Sequence, residues 1–107
     1  MKLGFIGTGQ ITKAVIYGIL NSKIKYSKIY ISSRNKKISS HLSKISKKII
    51  VIKDNQKILN LSQWVFLSIT PTVGNKIIKN LKFKKNHTII SFISTIKMKE
   101  LKFFDYL

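Results

Sequence analysis

A glycine-rich turn near the N-terminus is the part of this sequence whose residue types and spacing point most directly to chemistry. The apolar run at residues 3–6 enters Gly7-Thr8-Gly9, and an amphipathic stretch begins at Gln10. Gly7 permits a tight exit from a strand, and Gly9 leaves no Cβ where an anion would approach the backbone. A helix beginning near Gln10 would direct unpaired N–H groups and the positive end of its dipole at that anion. The turn therefore predicts a loop that binds a dinucleotide pyrophosphate.

The third position of the G-x-G-x-x-G spacing is occupied by Thr12 rather than by glycine. A small residue there lets the helix pack closely on the strand, and threonine is small enough to be tolerated. Ordinary strand-to-helix turns also contain such glycines, so the interpretation depends on the rest of the chain.

Five apolar runs alternate with stretches compatible with helices. The predicted strands cover residues 3–6, 29–31, 49–52, 64–69 and 88–93. Continuous runs of β-branched and aromatic residues are typical of parallel strands covered on both faces. The alternation predicts an α/β fold, a Rossmann-type doubly wound parallel sheet of order 3-2-1-4-5 with helices on both faces.

Four predicted helices lie between these strands. The first has a stripe of apolar or small residues that we expect to be buried, while Lys13 and Tyr17 face outward. This stripe consists of Ile11, Ala14, Val15, Gly18 and Ile19. A weaker stripe at residues 38–45 indicates the second helix, and residues 56–61 form the third. Pro71 suits the first turn of the fourth. Trp64 is expected to fill the core beside the fourth strand.

The chain is strongly basic, with 21 Lys plus Arg against three acidic residues and a net charge of +18. Such charge suits a polyanionic partner. However, the lysines are scattered as single residues and pairs, whereas proteins that bind nucleic acids favour arginine for bidentate contacts. Isoleucine is equally abundant, which favours an A+T-rich coding sequence as the origin of the basicity. No specific nucleic-acid partner is expected.

The length of 107 residues suits a single domain, residues 1–107. The chain has no cysteine, so disulfides and thiolate metal ligands are excluded. His41 and His87 lack nearby carboxylate pairs, so no metal site is predicted. No apolar run has the length of a membrane span or a signal-peptide core, so a cytoplasmic protein without a membrane partner is expected.

The end of the second predicted strand indicates which dinucleotide binds. About 20 residues after the glycines, proteins that bind NAD usually have an acidic residue for the ribose hydroxyls. Here the sequence is Ser32-Ser33-Arg34-Asn35. Ser33 can donate a hydrogen bond to a 2′-phosphate and Arg34, the only arginine, can bind it through its charged fork. The predicted cofactor is NADP(H).

Several sequence blocks together resemble the pyrroline-5-carboxylate reductase family. These blocks are GFIGTGQI at 4–11, Ala14 and Gly18 in the first helix, SRN at 33–35, DNQ at 54–56, VFLSITP at 65–71 and IISFIST at 89–95. The resemblance covers nearly the whole chain. It implies NADPH-dependent hydride transfer to the imine carbon of 1-pyrroline-5-carboxylate, the last step of proline biosynthesis.

The resemblance also implies a set of cofactor-binding residues. Ile6, Gly7, Thr8, Gly9, Gln10 and Ile11 would wrap the pyrophosphate, Ser33 and Arg34 the 2′-phosphate, Asn55 a ribose, and Ser68, Ile69, Thr70 and Pro71 the far side of the nucleotide. The chain departs from the family where Gln10-Ile11 replaces Asn-Met, Thr70 replaces lysine, and Ser94-Thr95 replaces Ala-Gly. The last two changes affect the nicotinamide side.

Family members continue well beyond this length into a helical domain that dimerises and supplies the substrate pocket. The resemblance therefore implies a truncated chain that is inactive alone, so no catalytic residue is assigned. A cyclic imine or amino-acid substrate is expected only if that domain is supplied, and the chain could form a homo-oligomer. The terminal aromatics at 103–107 would dock onto the missing part. The alternatives are a non-catalytic nucleotide-binding or interaction module from a decayed reductase and a basic nucleic-acid binder.

Overall fold

The computed structural model describes residues 1–7, 9–68, 71–84 and 86–91, with only the backbone given for 71–75. Some residues predicted from the sequence to be functional lie outside these ranges. They are Thr8, Ile69, Thr70, the Ser94-Thr95 pair and the C-terminal aromatics.

Strands and helices alternate along the described chain. The strands are β1 Lys2–Ile6, β2 Lys28–Ser32, β3 Ile49–Ile52, β4 Trp64–Leu67 and β5 Thr88–Ser91. The helices are α1 Gln10–Leu20, α2 Lys36–Ile45, α3 Asn55–Leu61 and α4 Pro71–Asn80. All paired strands are parallel and their order is β3-β2-β1-β4-β5. The predicted fold class and strand order are confirmed. Among the described residues, no helix combines the length and apolarity needed to cross a bilayer.

Apolar side chains on both faces of the sheet form two core clusters, because successive side chains of a strand point in opposite directions. On one face, buried strand residues pack with Ile16 and Ile19 of α1 and with Leu42 of α2. These strand residues are Leu3, Phe5, Ile29, Ile31, Ile49 and Phe66. The rings of Phe5 and Phe66 stack with their centroids 4.4 Å apart.

The opposite face of the sheet is covered by α3 and α4. Its buried strand residues are Ile6, Tyr30, Val65 and Leu67. They belong to one cluster with Ile58 and Leu59 of α3 and Ile78 of α4. Helices therefore cover both faces, as predicted, and this explains why the strands are apolar at nearly every position.

The end of α3 approaches β1 closely at Gly4. A Cβ built on Gly4 would overlap the Ser62 hydroxyl and lie 2.9 Å from Cγ2 of Ile58. Ser62 is buried, and its hydroxyl donates to the Ile58 carbonyl at 2.6 Å. Glycine is therefore required at this position for packing, independently of any ligand.

The predicted burial of α1 is only partly correct: Ile19 is buried and Val15 packs against the core as predicted, but the buried face is shifted. The buried residues are Thr12, Ile16 and Ile19, whereas Ile11 is 50% exposed and Ala14 and Gly18 are also exposed. Apolar residues occur all around α1, so helical periodicity alone allowed more than one buried face. The hydrogen bonds of Thr12, described below, select the observed one.

The predicted burial of Trp64 is also wrong. This side chain is 39% exposed, whereas the next three residues of β4 are buried. Trp64 is the first residue of the strand, at the edge where the chain enters the sheet. The core therefore begins one residue later than the apolar run suggested.

Candidate cofactor-binding site

The carboxyl ends of β1, β2 and β4 meet at one edge of the sheet, where the Gly7 turn leaves β1. Gly7 is buried and has φ of 97°, in the left-handed region that favours glycine. The strand order places this turn between the ends of β2 and β4. The carboxyl edge of a parallel sheet, where the strand order reverses, is where such folds bind ligands.

Three hydroxyl groups hold the Gly7 turn in place. The Gly7 N–H donates to Oγ of Ser32 at 3.1 Å. Its carbonyl oxygen accepts hydrogen bonds from Oγ1 of Thr12 at 2.7 Å and from Oγ of Ser68 at 3.0 Å. The Thr12 and Ser68 hydroxyls also contact each other. The turn is therefore tied to β2, to α1 and to the end of β4.

Ser68, predicted to contact the far side of the nucleotide, is thus seen to support the turn. Its N–H also donates to the Ile6 carbonyl at 3.0 Å. Thr12 was expected only to be small enough for close packing, yet its hydroxyl makes the shortest of the three hydrogen bonds to Gly7 quoted above. The role of Ser68 has no local sequence signal, because Ser68 and Gly7 are 61 residues apart. The bond from Thr12 to Gly7 is local, but it forms only with the observed orientation of α1 after the turn.

Gly9 caps the N-terminus of α1 in an extended conformation, with φ of −142°. Glycine has no side chain to bond to the first-turn amides, which lack intrahelical partners in any α-helix. Among the described residues, and apart from its chain neighbours, a Cβ built on Gly9 would have no atom within 4 Å. The space that a Cβ would enter is therefore open, as a ligand phosphate requires. The side chains of the next two residues, Gln10 and Ile11, are exposed.

A cavity of about 190 Å³ adjoins the Gly7 turn. Its lining residues come from three strand ends and two helices, and they are Gly7, Ser32, Ser33, Arg34, Lys53, Asn55 and Ile77. The structure thus brings Ser33, Arg34 and Asn55, each predicted to bind the cofactor, together with the turn. Lys53 and Ile77 were not predicted. A lysine after the third strand has no distinctive signal in a chain with so many lysines.

No carboxylate is among the described residues that line this cavity. Asp54 is adjacent in sequence, but its Oδ1 accepts a hydrogen bond from the Gln56 N–H at 2.9 Å and caps α3. Asn35 likewise caps α2 by accepting from the Ile38 N–H at 3.1 Å. The cavity therefore combines two cations with neutral polar groups, a composition that suits a phosphate.

The nicotinamide side of the predicted site falls largely outside the described residues. Pro71 begins α4, as predicted, while Ile69 and Thr70 lie outside the described residues. The contributions of these residues to the cofactor site remain predictions.

The two histidines have different surroundings. His41 is exposed, and its Nε2 lies 2.7 Å from the Tyr17 hydroxyl. His87 is only 6% exposed, and its Nδ1 accepts a hydrogen bond from the Lys84 N–H at 3.0 Å. Burial lowers the pKa of His87; its hydrogen bond to the Leu59 backbone opposes this effect, and the charge of Lys84 adds to it. Over the described part of the chain, no three His, Cys, Asp or Glu residues are arranged to hold a metal ion.

Comparisons with known proteins agree with this geometry. The family described as NADP oxidoreductase, coenzyme F420-dependent, matches residues 2–95. No curated protein matches the chain. Among solved structures, 1-pyrroline-5-carboxylate reductase from Streptococcus pyogenes is similar, with 28% identity and a TM-score of 0.76. Pyrroline carboxylate reductase from Plasmodium falciparum, solved with NADP bound, has 21% identity and the same TM-score of 0.76.

Each structural match covers 97% of this chain but only 38% or 37% of the matched reductase. The second match, at 21% identity, supports the fold alone. The family match spans most of the sequence, and the fold and the Gly7 turn are those predicted for dinucleotide binding. The chain therefore belongs to the family described as NADP oxidoreductase, coenzyme F420-dependent, and is an NADP-binding domain.

Proposed function

We propose that this chain is the NADPH-binding part of a reductase that resembles pyrroline-5-carboxylate reductase. The observation that carries the proposal is the cavity beside the Gly7 turn, where Ser33, Arg34 and Asn55 lie together without a carboxylate among the described lining residues. The similarity to the streptococcal reductase supports this choice within a family whose description also names coenzyme F420.

Each part of the site has a binding role in this proposal. The amides at the start of α1 receive the pyrophosphate, because α1 begins directly after the glycine turn and Gly9 carries no side chain there. Ser33 and Arg34 bind the 2′-phosphate by charge-assisted hydrogen bonds. Asn55 contacts a ribose. When bound, NADPH supplies a hydride to the imine carbon of 1-pyrroline-5-carboxylate, and a proton on the ring nitrogen completes proline.

A calorimetric titration with NADPH and then NADH tests the cofactor assignment. A salt concentration of about 150 mM limits nonspecific attraction of the anionic ligands to the basic chain. We expect saturable binding at one site, with NADPH preferred. Absence of binding, or equal affinity for both nucleotides, would contradict the proposal.

The variant Gly9→Ala tests where the cofactor binds. The added methyl contacts none of the described residues beyond its chain neighbours, so the fold should be retained. The methyl would occupy the space in which the cofactor phosphate approaches the backbone. NADPH affinity should therefore fall by roughly tenfold or more, equivalent to at least about 1.4 kcal/mol. Gly18→Ala is the matched control, because its Cβ likewise meets no other described part of the chain within 4 Å but lies in mid-helix. Undiminished NADPH binding by Gly9→Ala would argue against this location.

A chimaera tests the reaction. The streptococcal reductase would carry this chain in place of its corresponding cofactor domain. We expect NADPH oxidation that depends on 1-pyrroline-5-carboxylate. A folded chimaera that binds NADPH without turnover would instead favour the non-catalytic module.

A further inference from the structure

We propose that Lys53 is a second cation for the 2′-phosphate and that NADPH preference depends on Lys53 together with Arg34. This inference rests on the proposed binding of NADPH. Lys53 lies outside the blocks that carry the family resemblance. It was found because it lines the same cavity as Ser33 and Arg34.

Strand pairing brings the two cations together. β2 and β3 are parallel neighbours, and Ser32 is paired with Ile52 at their carboxyl ends. The next residues, Ser33-Arg34 on one strand and Lys53 on the other, therefore leave the sheet side by side. Parallel strands lie about 4.8 Å apart, so side chains of this length can reach one phosphate group from both sides.

The charge balance of the cavity favours an anion with more than one negative charge. Lys53 and Arg34 line it without a carboxylate among its described lining residues. The neighbouring Asp54 is directed to the α3 backbone, where it accepts from the Gln56 N–H. A phosphate monoester carries about 1.5 to 2 negative charges near pH 7 and three acceptor oxygens. NADPH presents this group on its adenosine ribose, whereas NADH presents only a hydroxyl.

The two cations supply different contacts. The planar guanidinium of Arg34 can bind two phosphate oxygens, while the ammonium of Lys53 acts as a point charge. Removal of either should weaken NADPH binding in part, and removal of both should abolish the preference over NADH. If Arg34 acted alone, its loss would remove the whole preference.

The test is calorimetry on the wild type, Lys53→Gln, Arg34→Ala and the double variant. The probes are NADPH, NADH, adenosine 2′,5′-bisphosphate and 5′-AMP. Lys53→Gln should weaken NADPH and the bisphosphate by roughly tenfold, the lower range for a hydrogen bond to a charged group, and leave NADH and 5′-AMP unchanged. Lys57→Gln is the matched control, because Lys57 is also exposed but does not line the cavity.

The possible results separate this inference from the proposed function. A wild type that does not bind NADPH overturns both. If the wild type prefers NADPH and Lys53→Gln binds NADPH with the same affinity, only the proposed role of Lys53 is overturned. Equal losses in Lys53→Gln and Lys57→Gln would show a general charge effect and would also overturn it. A loss confined to Lys53→Gln and to the two ligands with a 2′-phosphate supports it.

Discussion

Replacing Thr12 with valine should destabilise the protein by removing a hydroxyl that holds the Gly7 turn. Thr12 is fully buried, and valine has nearly the same shape, so packing is preserved. The change removes the hydrogen bond to the Gly7 carbonyl at 2.7 Å and the contact with the Ser68 hydroxyl. The Thr12 hydroxyl has one proton and so donates one hydrogen bond. Since one net hydrogen bond contributes about 0.5 to 1.5 kcal/mol, the free energy of unfolding should fall by that amount.

Urea unfolding followed by circular dichroism measures this change, and a thermal scan should show Tm lowered by roughly 2 to 7 °C. Thr88→Val is the matched control, because Thr88 is exposed at the start of β5 and should tolerate valine with little change. NADPH affinity should also fall in Thr12→Val, because the Gly7 turn would be less firmly held.

A double-mutant cycle with Ser68→Ala makes the prediction sharper. Each single variant leaves the Gly7 carbonyl one hydroxyl donor, since both Thr12 and Ser68 donate to it. The double variant removes both hydroxyl donors from the carbonyl of Gly7, which is buried. An unsatisfied buried acceptor costs about 1 to 3 kcal/mol. The double loss should therefore exceed the sum of the single losses by about 1 kcal/mol. Full stability of Thr12→Val, or strict additivity, would refute this account of the turn.

Two further predictions concern parts of the fold distant from the Gly7 turn. Gly4→Ala should destabilise the protein by about 1 to 3 kcal/mol, because the added methyl overlaps the Ser62 hydroxyl, and Ser62→Gly should restore most of the loss in urea unfolding. If Gly4→Ala is as stable as the wild type, this packing argument is wrong. The pKa of His87 lies below its ordinary value of 6.5, mainly because of burial. The unfolded chain therefore binds this proton more readily, so the stability contributed by neutral His87 should be complete above pH 6.5 and be lost as pH falls toward the folded-state pKa. Thermal scans from about pH 5 to 8 should show a shallower pH dependence for His87→Asn, whose side-chain oxygen can still accept from the Lys84 N–H, than for the wild type.

Thr88→Val is the control for the pH experiment, because Thr88 is exposed and its side chain does not titrate. Its pH profile should match that of the wild type. Identical pH profiles for His87→Asn and the wild type would show that another titratable group causes the loss of stability at acid pH.

Local features of the sequence were sufficient to predict the strands, the helices and their order. Short runs of β-branched residues, glycines between a strand and a helix, and Pro71 at the start of α4 each act within a few residues. Topological rules for parallel sheets then limit how such elements connect. For the same reason Arg34 could be predicted beside the Gly7 turn, since its place after β2 follows from the strand order.

Contacts between distant parts of the chain place Ser32 and Ser68 at the Gly7 turn and Lys53, the proposed second cation, beside Arg34. Ser32 and Ser68 bond to Gly7 across 25 and 61 residues, respectively, so neither was identifiable from local spacing. The phase of α1 depended on the bond from Thr12 to Gly7, because an all-round apolar helix does not specify its buried face. Lys53 became distinct from the other lysines only when β3 paired with β2 and placed it beside Arg34. Composition and periodicity report which elements form, whereas side-chain partners depend on how those elements pack.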